Sequence, residues 1–318
     1  MTADDRTLAP FGRRTVEVVE RRTLGAYVVL AVEDPNGPLP SAGQFHMLAA
    51  AERWGGGEEE RPFLPRAFSV LRARAGGAAR DGGAAGDGAA ARAGGAARAG
   101  GAARDGAAAR DGAAAGDGAA AGAGVRLEFM LEAVGPGTER LCELGPGDGL
   151  HVTGPLGLGF TGPADGQRAL LCGGGVGTAP LAIWQDELLA RGEPAPALLG
   201  FRDAEHAPGA ELLHNARVAT DDGSHGHHGL VTDLLAAELA AGPPAVVYAC
   251  GPPPMLEAVR ALCEARGVSC QLALESGMAC GFGACFGCVV PLRAGGYLRL
   301  CVDGPVLDGA LLAEVPSH

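Results

Sequence analysis

The sequence predicts a multidomain β plus α/β protein: an N-terminal antiparallel β-barrel, a central parallel α/β domain and a small C-terminal cysteine-rich domain. Three observations carry this expectation. Short β-branched runs separated by Gly/Pro turns fill the N-terminal part. Beyond Asp165 apolar strands alternate with helical repeats. After Ser269, three cysteines crowd into "ESGMACGFGACFGCVV", and a fourth, Cys301, follows in "LRLCVDGPV".

The barrel strands are read in order. "TVEVVE" alternates, "AYVVLAV" is β-branched and apolar, and "GQFHML" follows a Pro/Gly-rich turn. "RAFSV" and "VRLEFML" add two strands, and "GLHVTGPLGLGF" closes the region. Between those two strands, every residue from Ala75 to Gly124 is Ala, Gly, Arg or Asp, in imperfect repeats of "GAARDG" and "GAAAGDG". With no larger aliphatic side chain and no aromatic, such a run buries too little surface to offset its ordering entropy. It is expected to be a disordered insertion in a strand-to-strand connection, where extra length costs little.

In the second half, "RALLCGGGVGTAPLAIWQDELLARG" reads as strand, Gly-rich turn and helix, with Leu181, Trp184 and Leu188 at helical spacing. "APALLGFR" is a buried strand, "LVTDLLAAEL" a helix and "AVVYACG" a strand. In the helix "PPMLEAVRALCEARG", Met255, Val259 and Leu262 are expected on one face. Alternation of this kind implies a parallel sheet with helices on both faces.

Bulk properties narrow the function. With 25 basic against 37 acidic residues the net charge is −12, which argues against a nucleic-acid partner. "MTADDRTLAPFGRRTVEVVE" has no apolar signal core, and no apolar run reaches membrane-spanning length, so the chain is expected to be soluble and cytoplasmic, with no membrane partner. Nine cysteines in a reducing compartment suggest metal binding or catalysis before disulfides.

Four motifs carry chemistry. In "CGGGVGTAP", Gly173, Gly174, Gly175, Gly177 and Thr178 form a glycine turn that brings backbone N–H groups and a helix N-terminus towards a phosphate; a plain tight turn competes with that reading. "ACGPPPM" ends a later strand, where open α/β sheets bind ligands. It offers Gly251 and Pro252 as pocket edge and Cys250 as a candidate catalytic thiol, against the commoner fate of a buried core thiol. In "RAFS", Arg66 can pair with a pyrophosphate, Phe68 can pack on a flavin ring and Ser69 can hydrogen-bond it, with Ala67 between them. In "GPGTERL", Gly137 and Thr138 offer a second phosphate cradle or a simple N-cap.

The cysteines read Cys280-x4-Cys285-x2-Cys288-x12-Cys301. This matches the plant-type [2Fe–2S] run. Glycines between the ligands let the loop wrap closely and aim amides at bridging sulfides. Structural zinc usually takes paired C-x2–4-C knuckles, and only one pair here has that form. A catalytic thiol or disulfide staple fits less well. Cys142, Cys263 and Cys270 read as core thiols. A nicotinamide passes electrons in pairs and the cluster takes one at a time, so a flavin is needed between them.

These motifs, in this order, resemble the ferredoxin–NADP reductase superfamily. Within it, the chain resembles the family of electron-transfer subunits of NAD-linked dihydroorotate dehydrogenase, through "GQF", "RAFS", "GPGT", "GPLGLGF", "GGGVGTAPL", "ACGPPPM", "MACGFGACFGC" and "CVDGPV". Phe68 stands where the superfamily more often has Tyr. The resemblance implies a FAD-binding barrel over 1–163, carrying the insertion 75–124, an NAD-binding domain over 164–268 and a [2Fe–2S] domain over 269–318. It implies FAD on Arg66–Ser69, on Met130, Leu131 and Glu132, and on Gly137 and Thr138; NAD(H) at the glycine turn; and the cluster on Cys280, Cys285, Cys288 and Cys301. It also implies a heterotetramer with two FMN-containing catalytic subunits, which hold the dihydroorotate site. Electrons would run from that FMN through cluster and FAD to NAD, in pyrimidine biosynthesis. A diaphorase subunit of another complex, of ferredoxin:NADP oxidoreductase or sulfhydrogenase type, is the alternative, and a zinc-stabilised binding module is a third. Arg202 and Asp203 in "GFRDAEH" point opposite ways for a 2′-phosphate. "GSHGHHG" reads as a His-bearing loop, and the exposed rim at Phe282 and Phe286 as a place for a partner to dock.

Overall fold

The computed structural model describes residues 12–55, 62–76, 124–242 and 244–316. The expected disordered insertion falls, apart from Ala75, Gly76 and Gly124, outside the described residues.

The first sheet is antiparallel, in the order β4-β3-β7-β1-β2-β6-β5. Its strands are β1 (Arg14–Leu24), β2 (Tyr27–Asp34), β3 (Phe45–Ala50), β4 (Arg66–Ser69), β5 (Arg72–Ala75), β6 (Val125–Glu132) and β7 (Gly149–Leu156). The two edge strands are halves of one run bent at Val70–Leu71. Its first half pairs with β3 and its second with β6, so the sheet curls into a barrel without free long edges. Period-two alternation explains the filling: Val16 and Val18 of β1 and Leu127, Phe129 and Leu131 of β6 are buried, with Glu17, Arg126 and Glu128 less buried between them. The short helix α1 (Pro136–Cys142) crosses one end.

The second sheet has the order β11-β10-β9-β8-β12-β13-β16. It comprises β8 (Arg168–Gly174), β9 (Ala197–Phe201), β10 (Ala216–Thr220), β11 (His227–His228), β12 (Ala245–Cys250), β13 (Ser269–Ala273) and β16 (Val306–Asp308). All neighbours are parallel except β13 and β16. Helix α2 (Thr178–Ala190) covers the barrel-side face, while α3 (Val231–Ala241) and α4 (Pro253–Arg266) cover the other. Alternate residues of one strand therefore enter different cores. Val246, Tyr248 and Cys250 join α2, whereas Ala245, Val247 and Ala249 join α3 and α4. Burial on both faces is why these strands read as continuous apolar runs. On α4 the buried stripe is Leu256, Val259 and Cys263, one position round from the expected face. Met255 faces a cavity instead.

The sheet continues past the expected boundary at residue 268, since β13 and β16 are its last two strands. Between them the chain makes an excursion containing the small hairpin β14 (Val289–Pro291) and β15 (Tyr297–Arg299) and the one-turn helix α5 (Leu300–Asp303).

Barrel and sheet share a core. Trp184 of α2 stacks with Phe160 at 5.8 Å and meets Tyr248 edge-on at 5.3 Å. The Tyr248 hydroxyl donates to the Thr161 carbonyl at 2.8 Å. Arg72 of β5 pairs with Asp186 of α2 at 2.9 Å. Trp184 is 1% exposed and sits at the centre of this junction. Trp184→Ala is expected to lower stability by about 3–5 kcal/mol, measured by denaturant unfolding.

Candidate functional site

Two cavities open at the C-terminal ends of the parallel strands, where such sheets bind ligands. The first, about 630 Å³, lies between barrel and sheet. Arg66, Ala67, Phe68 and Ser69 line it, together with Met130 and Thr138 from the barrel and Cys250 from β12. Arg66 donates to the Leu64 carbonyl at 2.6 Å and lies 5.9 Å from the Trp54 ring centroid. A Cβ at Gly137 would fall 2.6 Å from Arg66 Nε, so a side chain there would displace the guanidinium. The Thr138 hydroxyl caps the turn instead, accepting from Val134 N at 2.9 Å and Gly135 N at 3.1 Å.

The second cavity, about 600 Å³, lies against the glycine turn. Gly174, Gly175, Gly251, Pro252 and Met255 line it, and the barrel contributes Tyr27, Glu132 and Val134. The Tyr27 hydroxyl is buried with no hydrogen-bond partner among the described residues. Burial pushes its pKa up, so it stays a proton donor at the cavity wall. A buried donor beside Gly175 fits an acceptor-rich group such as a pyrophosphate.

The expected site residues divide between these places. Of the run Met130–Glu132, Met130 lines the first cavity, Leu131 is buried in the barrel core and Glu132 lines the second cavity. Gly173 is packed between Leu181 and Leu199, and Gly177 abuts the Cys250 carbonyl, so both serve close packing behind the turn. Thr178 is fully buried and donates to the Gly175 carbonyl at 2.8 Å. Cys250 is 2% exposed, and burial pushes its thiol pKa well up. It is therefore a neutral thiol at the cavity floor, not a poised nucleophile.

Sequence reasoning missed Tyr27 and Glu275. Tyr27 sits in an apolar strand and reads as barrel core. Glu275 lines both cavities and is solvent-exposed, yet enough protein surrounds it for desolvation to raise its carboxyl pKa.

The cysteine loop starts at the wall of the first cavity, to which Glu275, Ser276, Gly277, Met278 and Ala279 all contribute. Cys288 and Cys301 are buried, with sulfurs 3.2 Å apart. Cys280 and the exposed Cys285 form a second hydrogen-bonded thiol pair. Desolvation would raise Cys280, but backbone N–H groups of Phe282, Cys285 and Ala284 together with the Cys285 side chain outweigh it and bring it down to about 7. Burial, with the Cys288 thiol, pushes Cys301 up to about 12. The loop reaches this shape through left-handed glycines, Gly281 at φ +78° and Gly283 at φ +87°; Cβ atoms there would meet Met47 and Val302 at 2.5 and 2.7 Å. Among the described residues, no three His, Cys, Asp or Glu converge as a site for one metal ion. In the His-bearing loop, His227 lies 3.6 Å from Asp233.

The fold is that of the ferredoxin–NADP reductase-like flavoproteins. A solved NADH-dependent reduced ferredoxin–NADP oxidoreductase superposes with a TM-score of 0.68 at 20% identity, over 96% of this chain and 92% of that one. A ferredoxin reductase of carbazole 1,9a-dioxygenase gives 0.55 at 20% identity, over 82% and 67%. Residues 275–313 match the iron–sulfur cluster binding domain of dihydroorotate dehydrogenase B. The electron transfer subunit of dihydroorotate dehydrogenase B (NAD(+)) from Caldanaerobacter subterraneus is 40% identical over 185 residues, 57% of this chain and 73% of that protein. The Geobacillus kaustophilus subunit is 45% identical over 184 residues, 54% and 68%. The chain belongs to this family of dihydroorotate dehydrogenase B electron transfer subunits, and so is an oxidoreductase component that works with a catalytic partner.

The Glu275 shift has a testable sign. Its ionised form is disfavoured in the folded state, so the penalty is absent below the usual carboxylate range and accumulates as pH rises through the raised value. Glu275→Gln is expected to melt at the same temperature as the wild type near about pH 4. Above that range it should become slightly more stable than the wild type in cofactor-free protein, the gain kept small by the solvent exposure of Glu275.

Proposed function

We propose that the chain carries electrons from the FMN of a dihydroorotate dehydrogenase catalytic subunit, through a [2Fe–2S] cluster and FAD, to NAD+, in de novo pyrimidine (UMP) biosynthesis. The carrying observation is that residues 275–279 both wall the first cavity and lead directly into Cys280. Val176 and Glu275 line both cavities, and Cys250 of the first is followed directly by Gly251 and Pro252 of the second. When bound, the nicotinamide exchanges a hydride, the flavin divides the pair and the cluster handles single electrons.

The chain's residues have separable tasks in this reading. Arg66 and the turn at Gly137 and Thr138 hold the FAD pyrophosphate, while Phe68, Ser69 and Met130 bound the flavin. Gly174, Gly175 and the Tyr27 hydroxyl hold the NAD pyrophosphate. Cys250, Gly251 and Pro252 form the floor on which the nicotinamide faces the flavin. Cys280 with Cys285, and Cys288 with Cys301, supply thiolates. Two thiol pairs suit two irons better than the single four-ligand centre of structural zinc.

The partner is expected at the outer side of the cysteine loop. Phe282, Phe286 and Tyr297 are 51%, 60% and 71% exposed there, and Arg299 holds the Phe286 ring at 5.3 Å. Such an apolar group beside the cluster supports docking of the catalytic subunit, in a heterotetramer of two of each chain. A cytoplasmic location accords with nine cysteines, all free. No helix among the described residues is long and apolar enough to cross a membrane. The 40–45% identity to the named subunits favours this partner over those of a ferredoxin:NADP oxidoreductase or sulfhydrogenase.

Cys285→Ser tests the assignment. The variant is expected to retain FAD and its reduction by NADH, to lose iron and acid-labile sulfide, and to pass no electrons to the catalytic subunit. Normal transfer with the cluster depleted would refute the path.

A further inference from the structure

We infer that this subunit selects NAD(H) over its 2′-phosphorylated form by sequestering its own arginine. The inference rests on the reading of the second cavity as the nicotinamide dinucleotide site. If the pyrophosphate lies at Gly174–Gly175 and the nicotinamide over Cys250, the adenosine runs the other way. That direction leads to the ends of β9 and β10, where Arg202 and Asp221 line the cavity. An arginine at this place is suited to a ribose 2′-phosphate.

Arg202 is 63% exposed, but its Nη2 is committed elsewhere. Its Nη2 donates to Glu132 Oε1, across from the barrel, and to His206 Nε2 at 2.6 Å. An arginine can only donate, so His206 Nε2 accepts and the ring proton is on Nδ1. That proton is donated to Asp203 Oδ1 at 2.7 Å. The His206 hydrogen bond holds the Asp203 carboxyl below the usual carboxylate pKa. The ring is fixed by edge contact with Tyr27 at 5.6 Å. Glu132, Arg202, His206 and Asp203 therefore form one chain in which every member is already partnered.

Charge then decides. Arg202 is the one lysine or arginine lining this cavity among the described residues, against Glu132, Asp221 and Glu275. Turning its Nη2 to a 2′-phosphate would break the Glu132 and His206 hydrogen bonds and bring a dianion among carboxylates. A 2′-hydroxyl demands neither and can donate to one of those carboxylates.

The test compares binding of 5′-AMP and adenosine 2′,5′-bisphosphate to the FAD-loaded protein by titration calorimetry. The wild type should bind 5′-AMP more tightly. Glu132→Gln should raise the bisphosphate-to-AMP affinity ratio by about tenfold, the scale of one charge-assisted hydrogen bond. Adding Arg202→Ala to that variant should abolish the gain. Arg202→Ala alone should leave the wild-type ratio nearly unchanged, a check independent of how Glu132→Gln folds. Preference of the wild type for the bisphosphate, lost in Arg202→Ala, would overturn the inference, as would an unchanged ratio in Glu132→Gln. Binding of neither probe, with no flavin reduction by NADH, would overturn the nicotinamide reading and this inference with it. Flavin reduction by NADH with an unshifted ratio would overturn the inference alone.

Discussion

The short ladder between β13 and β16 is the constraint on which the rest depends. It pairs Gln271, Leu272 and Ala273 with Asp308, Leu307 and Val306, and so staples together the two ends of the cysteine excursion. Leu274 N donates to the Pro305 carbonyl at 2.9 Å, one step further out. Pro305 also bridges to Leu158 at the end of the barrel and lines the first cavity. Barrel, sheet and cysteine loop thus meet at one point. A loop of glycines and thiols has little apolar surface of its own, so its position must be imposed from outside. Here the sheet imposes it, and the loop can lie only beside the cavity assigned to the flavin.

The nine thiols show how environment, rather than residue type, assigns their roles. Cys142 and Cys172 are pushed up to about 11 and 12 by burial, and Cys250 goes up with them. These stay protonated and pack as small apolar groups. Cys280 is brought down to about 7, because backbone N–H groups of its loop and the Cys285 side chain outweigh its desolvation. The same turned amides are what a sulfide-bridged cluster requires around it. Conformation enforced by Gly281 and Gly283 and electrostatics at Cys280 are therefore one feature.

Much of this was legible in the sequence. Barrel strands announced themselves by alternation, and the parallel strands by unbroken apolar runs. The cysteine spacing was specific because four ligands in fixed order have few other uses. What escaped was whatever depends on contact between distant segments. That β13 belongs to the sheet while also opening the cysteine unit follows from pairing with β12 and β16, which periodicity cannot report. Tyr27 reads as a core residue because its ring is one; only the fold aims its hydroxyl at a glycine turn far along the chain. Glu132 shares a strand face with Met130, but two residues further along β6 it reaches the other cavity and Arg202. The competing signs of Arg202 and Asp203 could not be resolved until His206 and Glu132 were placed between and against them.

In the proposed electron path the flavin cavity stands between the nicotinamide cavity and the cysteine loop. The most direct measurement is the electron paramagnetic resonance signal of the reduced cluster, after anaerobic addition of NADH to protein stripped of FAD. No cluster signal is expected until FAD is restored, and then a signal that follows flavin bleaching. Reduction of the cluster by NADH at the same rate without FAD would contradict it.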